Sequence, residues 1–515
     1  RDLDRLVEAE MIQKTVSGTE PMYRFKHALV QDAAYGTLLY ATRRAHHARI
    51  ADAILDVFPE VAKEKPEILA HHLSKAGRPL EAVDYWQAAG LNATNRSANA
   101  EAVHHLSSGI ETLRALPSRT NLDLQKELEL QVALGPPLVA ARGYASSELE
   151  EAYTRALKIG EQLETGISDF RVLWGLSSFF LLRGQLAQSL DLQRKCVELA
   201  ERDGNEDWRV LASSWLGTVL FYRNQLEEAA GHLEWAVQRY RTESATQLGY
   251  QFGLDPAVLA RVHLVWLHWL RGETDQAHGV DEETLSFAEG LDHPLSHVHA
   301  LNFSVVLQLF QGHFEEALKR ADQVLTVSGE FEFPHYLAYA QITRGYATAK
   351  LGSVEKGIDE MVKGLRARRE TGAELVRPMF LTMLAEVLWA SGQPDWAIDA
   401  LDEAEGIVAE NGEDWLEPET LRVRGLVLEQ NTPGDKAATD CLSRAVAMAR
   451  ASGAVSLEIR ALLSLVELQA QGAGDAKDAR SHIQRLAELL QKLPPGIDST
   501  DRQRSHELLE VHGVG

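Results

Sequence analysis

The stretch ALNFSVVLQLFQGHFEEALKRADQVL, residues 300–325, decides how this chain folds. Its first half is apolar nearly all round. Ala300, Leu301, Phe303, Val305, Val306, Leu307, Leu309 and Phe310 are what a helix buried on several sides requires. Gly312 then offers the left-handed backbone that closes a helix C-terminus. After it, Ala317, Leu318, Ala321, Val324 and Leu325 recur at helical spacing with charges between them, the pattern of an amphipathic helix with one buried stripe. A buried helix, a tight turn and a half-buried helix make a hairpin that cannot cover its own apolar surface.

The unit recurs. A Gly or Asn followed five residues later by a small residue occurs at Gly77/Ala82, Gly184/Ser189, Asn224/Ala229, Gly272/Ala277, Gly312/Ala317, Gly352/Gly357 and Gly392/Ala397. From Gly184 the steps are 40, 48, 40, 40 and 40 residues, a period in the range of stacked helical repeats. The small residue falls one turn into the second helix, where the two helices come closest and bulk would part them. Further turns are expected near Gly434 and Gly474, without the small fifth residue. The predicted fold is all-α, a right-handed superhelical array of helix-turn-helix repeats of roughly 40 residues with a concave surface. The pattern resembles tetratricopeptide-like repeats in a longer variant, across residues 67–490. That family's aromatic positions are not regularly filled.

Other boundaries are legible. Gly135-Pro136-Pro137 and Gly143 are expected to interrupt helix between the early hairpins (61–142) and the regular array (143–493). Asp255-Pro256 reads as a helix start, with a capping Asp and Pro in the first turn. Leu493-Pro494-Pro495-Gly496 is expected to end the array, leaving a polar tail (494–515) with one short helix.

Composition restricts the function. The 515 residues are 45% hydrophobic and 25% charged, as in ordinary soluble domains. No run approaches the roughly 18 apolar residues of a spanning helix, and no signal peptide is visible, so a cytoplasmic location is expected. A net charge of −23 repels phosphate backbones and anionic lipid. Two distant cysteines, Cys196 and Cys441, make neither a disulfide framework nor a metal cluster. The chain begins at Arg1 and is read as part of a longer protein.

Residues 1–60 do not fit the repeat. Asp2–Met11 reads as a helix, Ile12–Phe25 as a hairpin around Ser17-Gly18-Thr19-Glu20-Pro21, then His27–Tyr40 and Arg43–Val57 as helices. Helix, hairpin, helix is the order found at the end of a winged-helix domain. The wording Tyr23-Arg24-Phe25-Lys26-His27-Ala28-Leu29-Val30-Gln31-Asp32-Ala33-Ala34-Tyr35, followed by Arg43-Arg44 and His47, is specific. It resembles the junction between nucleotide-binding and repeat regions in bacterial STAND-type signalling ATPases. Ala70-His71-His72, Gly77, Ala82, Trp86 and the stretch from Leu128 to Tyr153 extend the likeness. The whole is similar to long bacterial proteins with a class III adenylate/guanylate cyclase domain, a central ATPase and a C-terminal repeat array. That resemblance implies a parent that makes a cyclic nucleotide and uses ATP and magnesium upstream. The present residues would be its regulatory end, in contact with its own ATPase domain.

Within the chain itself no phosphate-cradling G-x-x-x-x-G-K-[ST] loop and no catalytic constellation is found, so no catalytic, cofactor or metal residue is expected. The histidine pairs His46/His47, His71/His72 and His104/His105 face about 100° apart on a helix and make poor joint ligands. Arg43, Arg44, His46, His47 and Arg49 form a basic helix, read as a contact with the preceding domain. The better candidates are aromatic. Common register of the turns places Trp174, Phe221, Tyr222, Trp266, Trp269, Phe310, Tyr346 and Trp389 near the inner face of the first helices, with His299 and Asn302 beside them. Such mixtures suit a peptide, protein or small-molecule effector in the groove. Three roles remain open at this point. They are a regulatory array governing a cyclase, the sensor region of a STAND-type transcriptional activator, and a plain interaction scaffold. The absence of a DNA-binding domain before Gly515 counts against the second.

Overall fold

The computed structural model describes residues 2–17, 20–163, 170–241, 245–434, 436–470, 476–493 and 499–512. It divides into two compact units, residues 1–92 with 104–123, and residues 93–103 with 124–515. Apart from one two-stranded hairpin, the regular elements among the described residues are all helices. The all-α class therefore holds.

The first unit contains α1 (Asp2–Glu8), β1 (Ile12–Ser17), β2 (Glu20–Phe25), α2 (Ala28–Thr37), α3 (Tyr40–Val57), α4 (Pro59–Glu64), α5 (Pro66–Ala76), most of α6 (Pro79–Asn95) and the second part of α7 (Asn99–Arg114). The strands pair antiparallel, with Ile12 opposite Phe25 and Lys14 opposite Tyr23. Gly18 and Thr19, the expected turn, lie outside the described residues. Ala51 and Ile54 of α3, Leu69, Ala70 and Leu73 of α5, and Ala82 and Trp86 of α6 form the core. The basic face of α3 is partly used internally. Arg44 Nε donates to the Ala76 carbonyl at 2.8 Å, and Arg43 donates to the carbonyls of Leu38 and Gly36 at 2.8 and 2.9 Å. His47 of α3 meets His72 of α5 at 2.8 Å between Nδ1 atoms, and Tyr35 at 2.9 Å. The fold nevertheless joins one member each of two pairs, His46/His47 and His71/His72, across two helices. Burial first, then the adjacent histidines, lower His72 to about 4. In α2 no residue is buried and Leu29 is exposed, as are Leu39 and Tyr40 at the start of α3.

Beyond residues 93–103, the second unit runs on from within α8 (Asn121–Arg142) into α9 (Ser147–Gln162). Here one expectation fails, because α8 runs through both Pro136 and Pro137. Each proline removes an N–H and crowds the preceding turn. Residues 134–140 are nevertheless all buried, and Tyr153 packs so tightly that a Cβ on Gly135 would stand 1.9 Å from its hydroxyl. Burial outweighs local preference, and the helix stops only at Gly143, whose φ is +93°.

Eight hairpins follow: α10 (Phe170–Leu182) with α11 (Leu186–Arg202), α12 (Glu206–Tyr222) with α13 (Leu226–Arg239), then, after the short α14 (Ala245–Phe252), α15 (Pro256–Leu270) with α16 (Thr274–Glu289). Next come α17 (Pro294–Gln311) with α18 (Phe314–Glu330), α19 (Pro334–Lys350) with α20 (Val354–Glu370), and α21 (Arg377–Ala390) with α22 (Pro394–Asn411). The series ends with α23 (Glu417–Asn431) and α24 (Lys436–Ser452), α25 (Val455–Ala470) and α26 (Ala476–Lys492), and a last helix, α27 (Thr500–Val511). The long 48-residue step is explained by α14, inserted before α15. Asp255 caps α15 by accepting from the N–H groups of Ala257 and Val258, with Pro256 in the first turn. Gly474 and the Pro494-Pro495-Gly496 stop fall outside the described residues.

All seven turn residues have positive φ, from 56° at Asn224 to 99° at Gly352. At Gly312 the cap N–H bonds back to Gln308 and Leu309, the left-handed termination that the quoted stretch requires. The small residues that follow are all buried. First helices are buried almost all round, and second helices bury one stripe. A second period escaped the sequence reading. Between hairpins, Asp292, Glu332, Gly372 and Gly412 also take positive φ, at constant steps of 40 residues. Only two are glycine, which hides the pattern.

The array also touches itself well beyond neighbouring hairpins. Ser456 Oγ of α25 donates to the Trp269 carbonyl at 2.5 Å, 187 residues earlier in the chain. Arg460 Nη2 donates to the Phe310 carbonyl at 2.5 Å, and the N–H groups of Glu374 and Leu375 donate to Leu182 at 2.8 and 3.1 Å.

Candidate ligand cavity inside the repeat array

Two first helices supply the heart of the site. Pro294 and Pro334 each open a helix at the same point of the repeat. Their N-terminal halves carry His299 and Asn302 on α17, and His335, Tyr336 and Tyr339 on α19. Around them lies an interior cavity of about 50 Å³, also lined by Tyr144, Trp215, Tyr222, His263 and Arg368. Some polar groups are paired. His263 Nδ1–H donates to the Leu259 carbonyl at 2.8 Å, which leaves Nε2 to accept from the Tyr222 hydroxyl at 3.3 Å. His299 Nδ1 and the Tyr336 hydroxyl share a bond of 2.9 Å.

Others are not. His299 Nε2, His335 Nδ1, the Tyr339 and Tyr144 hydroxyls, Arg368 Nε and both polar atoms of Asn302 are buried and meet no hydrogen-bond partner. Asn302 lies close enough to Tyr339 to favour its ionised form, but the two do not reach hydrogen-bond geometry. Buried polar atoms in native proteins are nearly always paired, because an unmade bond costs about 1–3 kcal/mol. Several such atoms facing one cavity are the mark of a site built for something polar.

The aromatic residues expected on the inner face separate into groups. Phe221, Tyr222, Trp266, Trp269 and Phe310 come together around Trp415. Trp266 stacks on Trp415 at 5.4 Å and on Phe303 at 4.3 Å, Phe221 meets Trp415 at 5.0 Å, and Trp269 stacks on Phe310 at 4.2 Å. Tyr222, His299 and Asn302 reach the cavity. Trp174 packs instead on Trp215 and Phe252, at 5.1 and 5.2 Å. Trp389 is half-buried, with its indole N–H unpaired. Tyr346 lines a second cavity of about 170 Å³ with Lys350, Glu386, Arg422, Arg460 and Asp501. There the charges are matched. Glu386 pairs with Lys350 at 3.4 Å and with Arg422 at 3.2 Å, and Arg460 with Asp501 at 2.7 Å. Burial alone would raise Glu386, but Lys350 and Arg422 bring it down to about 2.

Three residues of this interior were missed in the sequence. Trp415 sits in the short connection before α23, outside any helical period. Arg368 falls in the run Arg366-Ala367-Arg368-Arg369, which reads as a solvated end of α20. A usable signal existed, because Met361, Gly364 and Arg368 share the buried stripe at helical spacing. Glu413, also buried, accepts from the Val376 N–H at 2.9 Å.

The buried titratable groups set a pH dependence. Burial lowers His263 and His293 to about 4, His335 to about 3, and His299 well below 6.5. The unfolded chain takes up these protons near pH 6.5, before the folded chain does. Each histidine thus contributes stability that is full above pH 6.5 and is lost as pH falls toward 4. Asp255, raised by burial to about 6, opposes them below that pH but is outnumbered. Glu413 is raised by burial to about 8, so its contribution falls as pH rises from 4.5 through 8. The thermal unfolding midpoint is expected to peak near pH 6.5, fall steeply toward pH 4 and fall gently toward pH 8. Glu413→Gln should remove the alkaline decline and spare the acid one, as a melt series across pH 4–9 would show.

Among the described residues, no group of three or more His, Cys, Asp or Glu is arranged to hold a metal ion, and no helix is long and apolar enough to cross a membrane. No protein-family model matches the chain. A curated relative from Rhizobium meliloti (strain 1021), described as an uncharacterized protein, is 24% identical over 469 residues, which cover 90% of this chain and 45% of the relative. The chain thus spans less than half the length of that relative. Among solved structures, the apo quorum sensor NprR from B. thuringiensis is 12% identical and overlaps 72% of this chain and 99% of its own, with a TM-score of 0.44. A Rap protein complexed with competence and sporulation factor overlaps 80% and 98% at 13% identity, with a TM-score of 0.38. Yeast Tom70 overlaps 92% and 96% at 13% identity, with a TM-score of 0.32. These partial overlaps assign no residue of this chain a role. The chain is similar to helical-repeat proteins, and its candidate site is the cavity lined by α17, α19 and α20, where unpaired polar atoms meet apolar walls.

Proposed function

We propose that this chain is the regulatory, effector-binding repeat region of a longer cytoplasmic signalling protein. The cavity between α17 and α19 carries the reading, since its unpaired buried groups are explained by an occupant. The exposed Leu29 of α2, with Leu39 and Tyr40 at the start of α3, supplies a contact for a preceding domain, and the relative from Rhizobium meliloti is about twice the aligned length. In its concrete form the parent carries an ATPase that uses ATP and magnesium, and an adenylate or guanylate cyclase domain whose output follows the state of the array. Coupling requires that the effector bind the active and inactive states with different affinities.

The test is cyclic nucleotide formation by the full natural protein with ATP or GTP and magnesium, with and without fractionated cell metabolites, for the wild type and Asn302→Leu. Leucine keeps the shape of asparagine and offers no hydrogen bonds. A metabolite-dependent change that the variant loses, with its circular dichroism intact, supports the proposal. A protein that makes no cyclic nucleotide under any condition removes the cyclase from it. A response unaltered by Asn302→Leu removes the cavity.

A further inference from the structure

Among the buried arginines described, Arg368 is the one that makes no ion pair. Its side chain is 3% exposed. Nη1 and Nη2 donate to the carbonyls of Ala373 and Leu375 at 3.0 and 2.6 Å, and Nε has no partner. The rings of Tyr339 and Phe380 lie 5.8 and 5.3 Å from the guanidinium carbon. Among the described residues no carboxylate forms an ion pair with it. Glu413, a nearby carboxyl, is raised by burial and has its oxygens turned to the Val376 N–H and the Trp415 indole N–H, at 2.9 and 3.4 Å. The second cavity makes the contrast plain, because each of Arg422, Arg460 and Lys350 there is paired with a carboxylate. A buried charge without a counterion costs several kcal/mol, so such charges are ordinarily paired.

The groups sharing the cavity with Arg368 are chiefly hydrogen-bond donors or can become so. The Tyr339 hydroxyl, the Asn302 amide and the His335 ring are unpaired and line the same space. The remaining walls, Phe303, Leu375 and Val376 among them, are apolar. A volume of about 50 Å³ admits roughly four water-sized groups.

We propose that the cavity binds a small carboxylate, its charge held by Arg368 and hydrogen-bonded by Tyr339 and Asn302, its short apolar end against Phe303 and Val376. This names the effector class for the site proposed above and rests on that reading. A carboxylate there supplies the missing counterion and accepts from donors otherwise unsatisfied. Charge-assisted bonds of this kind are the strongest that a neutral-pH cavity can make.

The test is calorimetric titration of the whole chain at pH 7 with propionate, and with propionamide as its uncharged counterpart, on the wild type, Arg368→Met and Tyr339→Phe. Propionate is expected to bind saturably and raise the melting midpoint. Tyr339→Phe keeps the ring over Arg368 and should bind about tenfold more weakly, the loss of one charge-assisted bond. Arg368→Met should show no binding. Should Arg368→Met misfold, Tyr339→Phe and propionamide still decide. Propionamide binding as tightly as propionate overturns the carboxylate assignment and leaves the effector-binding reading standing. Propionate binding equally well to wild type and Tyr339→Phe overturns the assignment, as does failure of propionate, acetate and formate alike to bind.

Discussion

Replacing Trp415 with alanine is expected to destabilise the second unit by roughly 3–5 kcal/mol, the range for emptying a fully packed aromatic site. Trp415 is 1% exposed and reaches four other rings, Phe221, Tyr222, Trp266 and Phe310, from three earlier hairpins. Its loss therefore leaves a cavity at a point where hairpins remote in sequence meet, and the walls cannot collapse without moving whole helices. Trp415→Phe should cost markedly less. Trp396→Ala serves as a control, since that ring is 66% exposed. Urea unfolding followed by circular dichroism would read the difference. Equal midpoints for Trp415→Ala and Trp396→Ala would show that the interior rings do not hold the array together.

One substitution made in two places should give opposite signs. At Gly357 a Cβ would lie 2.4 Å from the Gly345 carbonyl oxygen and 2.6 Å from Ala349 Cβ. Gly345 faces the same contact from α19, with Met361 N only 2.8 Å away, so the helices meet through their backbones. Gly357→Ala must push α19 and α20 apart and is expected to cost about 2–3 kcal/mol. Gly279 on α16 has nothing within 4 Å. There the same change relieves the entropic penalty of a helical glycine and should gain about 0.5–1 kcal/mol. Chemical denaturation of both variants checks the pair. A destabilised Gly279→Ala, or a neutral Gly357→Ala, would contradict the packing described.

These two predictions divide what was legible in the sequence from what was not. Close approach at Gly357 was readable because it is local. A turn residue with positive φ and a small residue five positions later lie within one hairpin, and six of the eight hairpins repeat the statement. Trp415 was unreadable because its partners lie far earlier in the chain and follow no period. Pro136 and Pro137 misled for a related reason, since their local preference is real but the burial of residues 134–140 overrides it. In the cavity, His299, Asn302 and Tyr222 were singled out from helix register. Arg368 was passed over because it sits in a basic run that reads as solvated, although its spacing from Met361 and Gly364 puts it on the buried stripe.

The contact between Ser456 and Trp269 has a bearing on how the protein comes apart. In an open solenoid each repeat answers only to its neighbours, and terminal repeats fray independently. Here α25 is fastened to α15, so the hairpins between them form a closed circuit. Amide exchange should find those hairpins opening as one block, with protection nearly uniform from α15 to α25, instead of declining smoothly toward the C-terminus. A growing chain could not complete that circuit until α25 had left the ribosome. Until then Trp269 and its stacked neighbours would lack their cover, making the half-finished array the species most in need of a chaperone.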